Sequence, residues 1–273
     1  MAAIGQALTW FFTLLLRPFE NGQAFAGIIF VSLVTGAVML VLFKVTSNQQ
    51  AMREVKSRIS AHFLEMRLYK DDFRTVAGSQ GRVLMANLRY MRLALLPAVV
   101  LIVPVVLIMI QLNLRYAYMG LAPGSTAMVK VKVAEGGDVL AEHLMLIPGE
   151  GVEKASPAVR IKHLGEVDWK VRLVEPGVHE MRLSSTSGEM AVPVFGGKRL
   201  IPRYTVFRKA SFLEGLLNPG APGIPSAMGL ESIQVTYPPM VFDFGLFELS
   251  WLWTFLIVSM AFGFVLKFIF KVE

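Results

Sequence analysis

The chain has 273 residues, 54% hydrophobic and only 17% charged, with a formal charge of +7 and a mean hydropathy of +0.55. Soluble domains carry about 25% charged and 45–50% apolar residues, so disorder is excluded and a purely water-soluble protein is disfavoured. With no cysteine, a disulfide framework, thiolate metal sites and cysteine nucleophiles are excluded.

The N-terminal stretch 4–16 is apolar but too short to span a bilayer. Gln6, Thr9, Thr13 and Arg17 recur at helical spacing, opposite Trp10, Phe11, Leu14 and Leu15. This predicts a helix lying in the membrane interface, ended by Pro18 and the Asn21-Gly22 turn. A cleaved signal peptide is the rival reading; it wants an early cation and a small-residue cleavage site, and Arg17-Pro18-Phe19-Glu20 supplies neither at the right place.

Three windows follow that water would reject: AFAGIIFVSLVTGAVMLVLF (24–43), LALLPAVVLIVPVVLIMIQL (93–112) and LSWLWTFLIVSMAFGFVL (249–266). None contains a charge, and each approaches the roughly 20 residues needed to cross hydrocarbon. Lys44, Arg92 and Arg115 stand at their edges, where long cationic side chains can snorkel. Trp251 and Trp253 mark an interface at the third.

Between the first two windows, residues 44–92 hold ten Lys/Arg against four acids, whereas 115–248 holds fourteen of each. Short basic loops stay cytoplasmic and long domains translocate regardless of charge. The predicted topology is therefore N-terminus out, first loop in, large loop out and tail in; Lys267 and Lys271 in the tail agree. The excess positive charge flanks apolar spans without a nucleic-acid-binding motif, so no specific DNA binding is expected.

Within the basic loop, Met52, Val55, Ile59, Phe63, Met66, Tyr69 and Phe73 recur at three- and four-residue steps, and no proline or glycine interrupts 44–75. This predicts one helix leaving the membrane with an apolar seam, a reversal at Ala77-Gly78-Ser79-Gln80-Gly81, and a return helix from Arg82 to Arg92. The return limb is shorter, so a break near Lys70–Asp72 is a second possibility, as is a tip folded along the headgroups. The hairpin either merely joins two spans or docks an acidic partner, for which Arg53, Lys56, Arg58 and Arg67 are the candidate contacts.

From residue 125 the pattern turns to period two. Runs at 128–133, 143–147, 159–164, 167–174, 178–184, 190–195, 200–207 and 232–237 alternate between turn clusters at Glu135-Gly136-Gly137-Asp138, Glu175-Pro176-Gly177, Ser187-Gly188 and Gly196-Gly197. About eight short strands predict an all-β sandwich, with VDWKVRLVEPGVHEMRLS as one tight hairpin. Residues 209–217 predict a short helix whose Phe212, Leu213, Leu216 and Leu217 touch membrane or sandwich. No nucleophile elbow, P-loop or dinucleotide fingerprint occurs. His62, His143, His163 and His179 lack metal-ligand spacing, so neither an enzyme nor a metal or cofactor site is expected.

The order of segments, and the text IGQALTWFFTLLLRPFENGQAFAGIIFVSLVTGAVMLVLFKVTSNQQAMREVKSRI with Pro97 and Pro104 in the next span, resembles the YidC/Oxa-type insertase superfamily. The three-span branch is the nearest in kind, with the archaeal YidC-like proteins and the related subunit of the ER membrane complex. The resemblance covers about residues 4–112 and, by position, the last span. It implies a hydrophilic groove through which a polar segment of a client membrane protein enters, and an arm that recruits client or ribosome. Ser32, Thr35, Gln111, Thr254 and Ser259 are the candidate groove residues; the alternative is that small hydroxyls pack helices and bond their own backbone. Two departures stand out. Bacterial insertases carry an arginine on the first core span where this chain has Thr35, with Lys44 about 13 Å further along the helix. The β domain lies between the last two spans, where three-span relatives have a short connection.

The expected fold is thus an α-helical membrane protein with three transmembrane helices, N-out/C-in, an interfacial N-terminal helix, a cytoplasmic helical hairpin and an inserted all-β sandwich domain. Its segments are 1–22 (interfacial helix), 23–45 (first span), 46–91 (basic hairpin), 92–114 (second span), 115–247 (extracytoplasmic β domain) and 248–273 (third span and tail). The expected function is assistance to insertion, folding or assembly of membrane proteins. The alternative is a scaffold or structural subunit that binds a partner through the sandwich. The expected partners are lipid, client proteins or complex subunits, and the ribosome. No cysteine and no N-x-[ST] acceptor occur in the outer domain, which suits a bacterial cytoplasmic membrane.

Overall fold

A computed structural model of the protein describes residues 2–20, 22–70, 72–134, 143–245 and 247–270. It comprises two compact units, Met1–Gly27 with Met109–Trp251, and Ile28–Ile108 with Leu252–Glu273. Among the described residues three helices are long and apolar enough to cross a membrane: α2 (Ala24–Thr46), the greater part of α4 (Phe73–Tyr116) and α6 (Trp251–Phe270); the short α5 (Phe212–Leu217) is not among them.

The first unit opens with α1 (Ala2–Leu16), which passes into a single 3-10 turn at Arg17–Phe19 where Pro18 stops the α-helix. Phe12 and Leu16 are buried, while Trp10, Phe11 and Leu14 stand more than half exposed, so the apolar face is only partly used by the protein itself.

Its β-rich part is antiparallel. One sheet has the order β3 (Val152–Lys154), β5 (Glu166–Leu173), β1 (Thr126–Val133), β9 (Leu230–Val235), β8 (Val206–Arg208), with β4 (Val159–Ile161) also paired to β5. A second sheet has the order β2 (Met145–Ile147), β6 (Val178–Ser185), β7 (Gly188–Phe195). Alternation directs Val129, Val131, Val167, Val171, Ile233 and Val235 of the larger sheet, and Leu146, Met181, Leu183, Val192 and Val194 of the smaller, into one continuous core. β10 (Val241–Asp243) and β11 (Glu248–Ser250) form a separate ribbon that leads into α6. Leu249 and Ser250, counted in the third apolar window, therefore belong to a strand.

Two expectations for this part are corrected. The segment 167–184 is not a hairpin: β5 pairs with β1, β3 and β4, whereas β6 pairs with β2 and β7. The chain changes sheet at Glu175-Pro176-Gly177, because Pro176 has no N–H for a ladder and Gly177, at φ 140°, takes a conformation that turns the chain away. The tight hairpin is β6–β7, paired from Val178↔Phe195 to Ser185↔Gly188. The run 200–207 contributes only its end, in β8, since the Arg203 N–H donates to the Leu114 carbonyl rather than to a sheet. The Glu135-Gly136-Gly137-Asp138 turn and Lys271 lie outside the described residues.

In the second unit α3 (Gln49–Leu68) follows α2 after a break at Ser47-Asn48, where one uninterrupted helix was expected. The Asn48 side chain accepts from the Ala51 N–H at 3.0 Å, and this N-cap restarts the helix. The reversal falls between the end of α3 at Leu68 and the start of α4 at Phe73, at the second of the two expected places, the break near Lys70–Asp72, and not at Gly78–Gly81. The Asp72 carboxylate accepts from the Arg74 N–H at 3.1 Å, and both glycines are absorbed into the unbroken α4. A strong cap outweighs the weak helix propensity of two glycines. Of the predicted seam, Met52 and Val55 are buried, while Phe63, Tyr69 and Phe73 are exposed.

Candidate functional site

In the second unit, α2, α4 and α6 enclose an open cavity of about 550 Å³. Its floor is set by Gly36: a Cβ there would stand 2.9 Å from the Ser259 carbonyl, so only glycine lets α2 and α6 approach this closely. Thr35 and Ser259 line the cavity, with Met39, Phe43, Leu101, Val105 and Phe264 supplying apolar walls, and Trp253 and Lys267 also contribute. The lining is largely apolar, with small hydroxyls and a terminal ammonium as its polar features.

The sequence-derived groove residues separate on this geometry. Thr35 and Ser259 share the cavity. Ser32 is fully buried and its hydroxyl donates to the Ile28 carbonyl at 2.7 Å, one turn back on its own helix. Ser259 likewise donates to the Leu256 carbonyl at 3.2 Å. Thr254 is buried outside the set that lines the cavity.

Gln111 belongs to a different constellation, in the first unit. Arg115, one turn further along α4, is fully buried rather than snorkelling from a span edge. One terminal nitrogen of its guanidinium donates to the Gln111 carbonyl (3.1 Å) and side-chain oxygen (2.8 Å). The other donates to the Thr9 carbonyl and the Thr13 hydroxyl, both at 2.9 Å. Gln111 in turn donates to the Thr9 hydroxyl at 3.1 Å, and the guanidinium lies 5.9 Å from the Phe12 ring centre. The polar stripe on α1 is thus the acceptor set for a buried cation. Among the described residues no carboxylate forms an ion pair with Arg115.

A second buried arginine, Arg203, donates from one nitrogen to the Arg115 and Tyr118 carbonyls at 3.0 Å, and from another to the Arg199 carbonyl. It satisfies the Arg115 carbonyl, left open at the end of α4, together with two carbonyls outside the helix. Burial pulls its guanidinium down to about 10, still protonated at neutral pH, and burial pushes the phenols of Tyr204 and Tyr237 up. Sequence reasoning missed this pair. The i, i+4 spacings of Thr9/Thr13 and Gln111/Arg115 were the only local signal; the contact joins residues 106 apart.

On the basic arm, Arg53, Lys56, Arg58 and Arg67 are all exposed on α3. Arg58 shares a hollow with His62, Arg82 and Arg89 of the same unit. Glu65 ties α3 to α4 by accepting from Arg82 at 2.8 Å, and its second oxygen lies 3.2 Å from His62 Nδ1.

No family model and no curated protein matches the chain. Among solved structures, it is similar to the crystal structure of the S-layer protein SbsC domains 4 and 5, at 20% identity, covering 29% of this chain and 46% of that one, with a TM-score of 0.23. The chain thus spans less than half of that structure's length, and a likeness of this degree carries no argument.

Proposed function

We propose that the chain is a YidC/Oxa-like protein of the bacterial cytoplasmic membrane that assists insertion, folding or assembly of other membrane proteins without chemistry of its own. In this reading the N-terminus and the β domain lie outside, and the basic helical hairpin lies in the cytoplasm, where it receives client chains or the ribosome. The observation that carries it is the three-helix cavity lined by Thr35 and Ser259. Van der Waals packing and occasional hydrogen bonds drive helix association in lipid, so a cavity with small residues and apolar walls suits a transient apolar client helix. Its mainly apolar lining shifts the emphasis from conducting a polar segment toward sheltering a helix before assembly.

Site-specific photocrosslinkers at Thr35 and Ser259 in living cells test this, with Ile102, an exposed residue of α4 outside that lining, as the control. Crosslinks to newly made membrane proteins that exceed those at Ile102 are the expected result. Equal yields at all three positions would overturn the proposal.

A further inference from the structure

Where α2 breaks before α3, a second pocket of about 670 Å³ opens against α4. Thr46 and Asn48 form one side, and Arg89, Arg92, Leu93, Leu95, Leu96 and Val99 the other. Polarity reverses along a single stripe of α4: Arg89 and Arg92 are one turn apart, and Leu93, Leu96 and Val99 continue the three- and four-residue steps into the apolar window. Among the described residues, none that lines this pocket is acidic. The Asn48 side-chain oxygen is engaged by the Ala51 N–H, which leaves its amide N–H groups as further donors. Leu95, Leu96 and Val99 are 63%, 69% and 54% exposed, so the protein leaves this apolar surface uncovered just below two guanidinium groups.

We propose that this pocket binds an anionic phospholipid, with Arg89 and Arg92 on its phosphodiester and the Leu93–Leu96–Val99 stripe against its acyl chains. A planar guanidinium presents a fork of donors matched to phosphate oxygens, and two on adjacent turns hold one phosphate from two directions. Basic pockets at the end of membrane spans are suited to acidic headgroups. Arg89 also lines the neighbouring hollow with Arg58 and Arg82, which extends the positive field beyond one phosphate. A nucleic acid would use the arginines and leave the apolar stripe in water; a phospholipid satisfies both halves. The inference is independent of the insertion reading, because it concerns a different pocket and a lipid rather than a protein.

The experiment uses the full chain, purified in neutral detergent, exposed to mixed vesicles of phosphatidylglycerol and phosphatidylcholine and read by native mass spectrometry. The wild-type chain retains phosphatidylglycerol over phosphatidylcholine. Removing charge in Arg89→Gln and Arg92→Gln lowers that preference roughly fivefold for each arginine. Arg172→Gln with Arg208→Gln, which removes the same charge from exposed positions of the β-rich part, leaves it intact. The proposal is overturned if the Arg89/Arg92 double variant keeps the wild-type preference, or if the Arg172/Arg208 variant loses it equally. It is also overturned if inorganic phosphate or an acidic peptide displaces the lipid. Should the double variant fail to fold, Arg92→Gln alone is read against the same fivefold expectation.

Discussion

Arg115 is the residue on which the first unit turns. A guanidinium removed from water costs free energy for each donor left without an acceptor. Here Thr9, Thr13 and Gln111 supply acceptors for the two terminal nitrogens, from helices far apart in sequence, while the buried Nε–H has no hydrogen-bond partner among the described residues. The charge is therefore spread over carbonyl, hydroxyl and amide dipoles and the face of Phe12, and the cluster acts as a clamp on α1. Each hydrogen bond to a charged group is worth about 1.5–3 kcal/mol, so Arg115→Ala should cost on the order of 3 kcal/mol. Thr13→Val, which removes one acceptor of the guanidinium at constant shape, should cost about 1.5 kcal/mol, since Thr9 still accepts from the same nitrogen. Because both residues share one network, the double variant should cost less than the sum of the two. Denaturant unfolding gives the energies, and protease cleavage within α1 reports its release. Additive costs with α1 still protected would show that the clamp is not what holds the helix.

At the scale of elements, two carboxylates hold the tip of the basic arm, Asp72 at the start of α4 and Glu65 between α3 and α4. Hydrogen bonds from His62 and then Ser79 are the main causes that hold Glu65 below its ordinary value of 4.5; burial opposes them, and the Arg82 charge adds a smaller lowering effect. A carboxyl group with a lowered folded value contributes fully above its ordinary pKa and loses that contribution as pH falls through the folded value. Amide-exchange protection at Tyr69 and Asp72 should therefore be constant near neutrality and fall only once the pH drops below the ordinary carboxyl value of 4.5, and Glu65→Gln should remove the acid-dependent step. An unchanged step in that variant would assign the loosening to other groups. This tip also shows what the sequence could convey. The apolar windows and the two-residue alternation were legible because burial imposes them along the chain itself. The break near Lys70–Asp72 was legible only as a second possibility, from the shorter return limb, because Gly78 and Gly81 are the stronger local breakers, whereas Asp72 works by capping and Glu65 by a bond to a residue 17 positions away. The sheet change at Pro176 and the partners of Arg115 were hidden for the same reason: strand pairing and buried hydrogen bonds are chosen by tertiary context. The cavity itself could be read only as Thr35 and Ser259, since its walls are ordinary apolar residues.

For the whole molecule, charge asymmetry carries the orientation argument. Residues 44–92 hold ten Lys/Arg and four acids, while 115–248 is balanced at fourteen each. Lysine and arginine close to the ends of apolar spans resist translocation, whereas a long domain follows the spans regardless of its own charge. The arm should therefore remain inside and the β-rich part outside. The absence of cysteine makes this directly testable, because any introduced thiol is the only one. Ser57→Cys places it on α3, and Ser187→Cys places it in the turn between β6 and β7; both positions are exposed. A membrane-impermeant maleimide should label Ser187→Cys in cells whose outer layers have been opened but whose cytoplasmic membrane is intact, and Ser57→Cys only after that membrane is broken. The inverse pattern would place the basic arm outside, beyond reach of ribosomes and nascent chains, and would end the insertase reading while leaving the phospholipid pocket to be judged on its own.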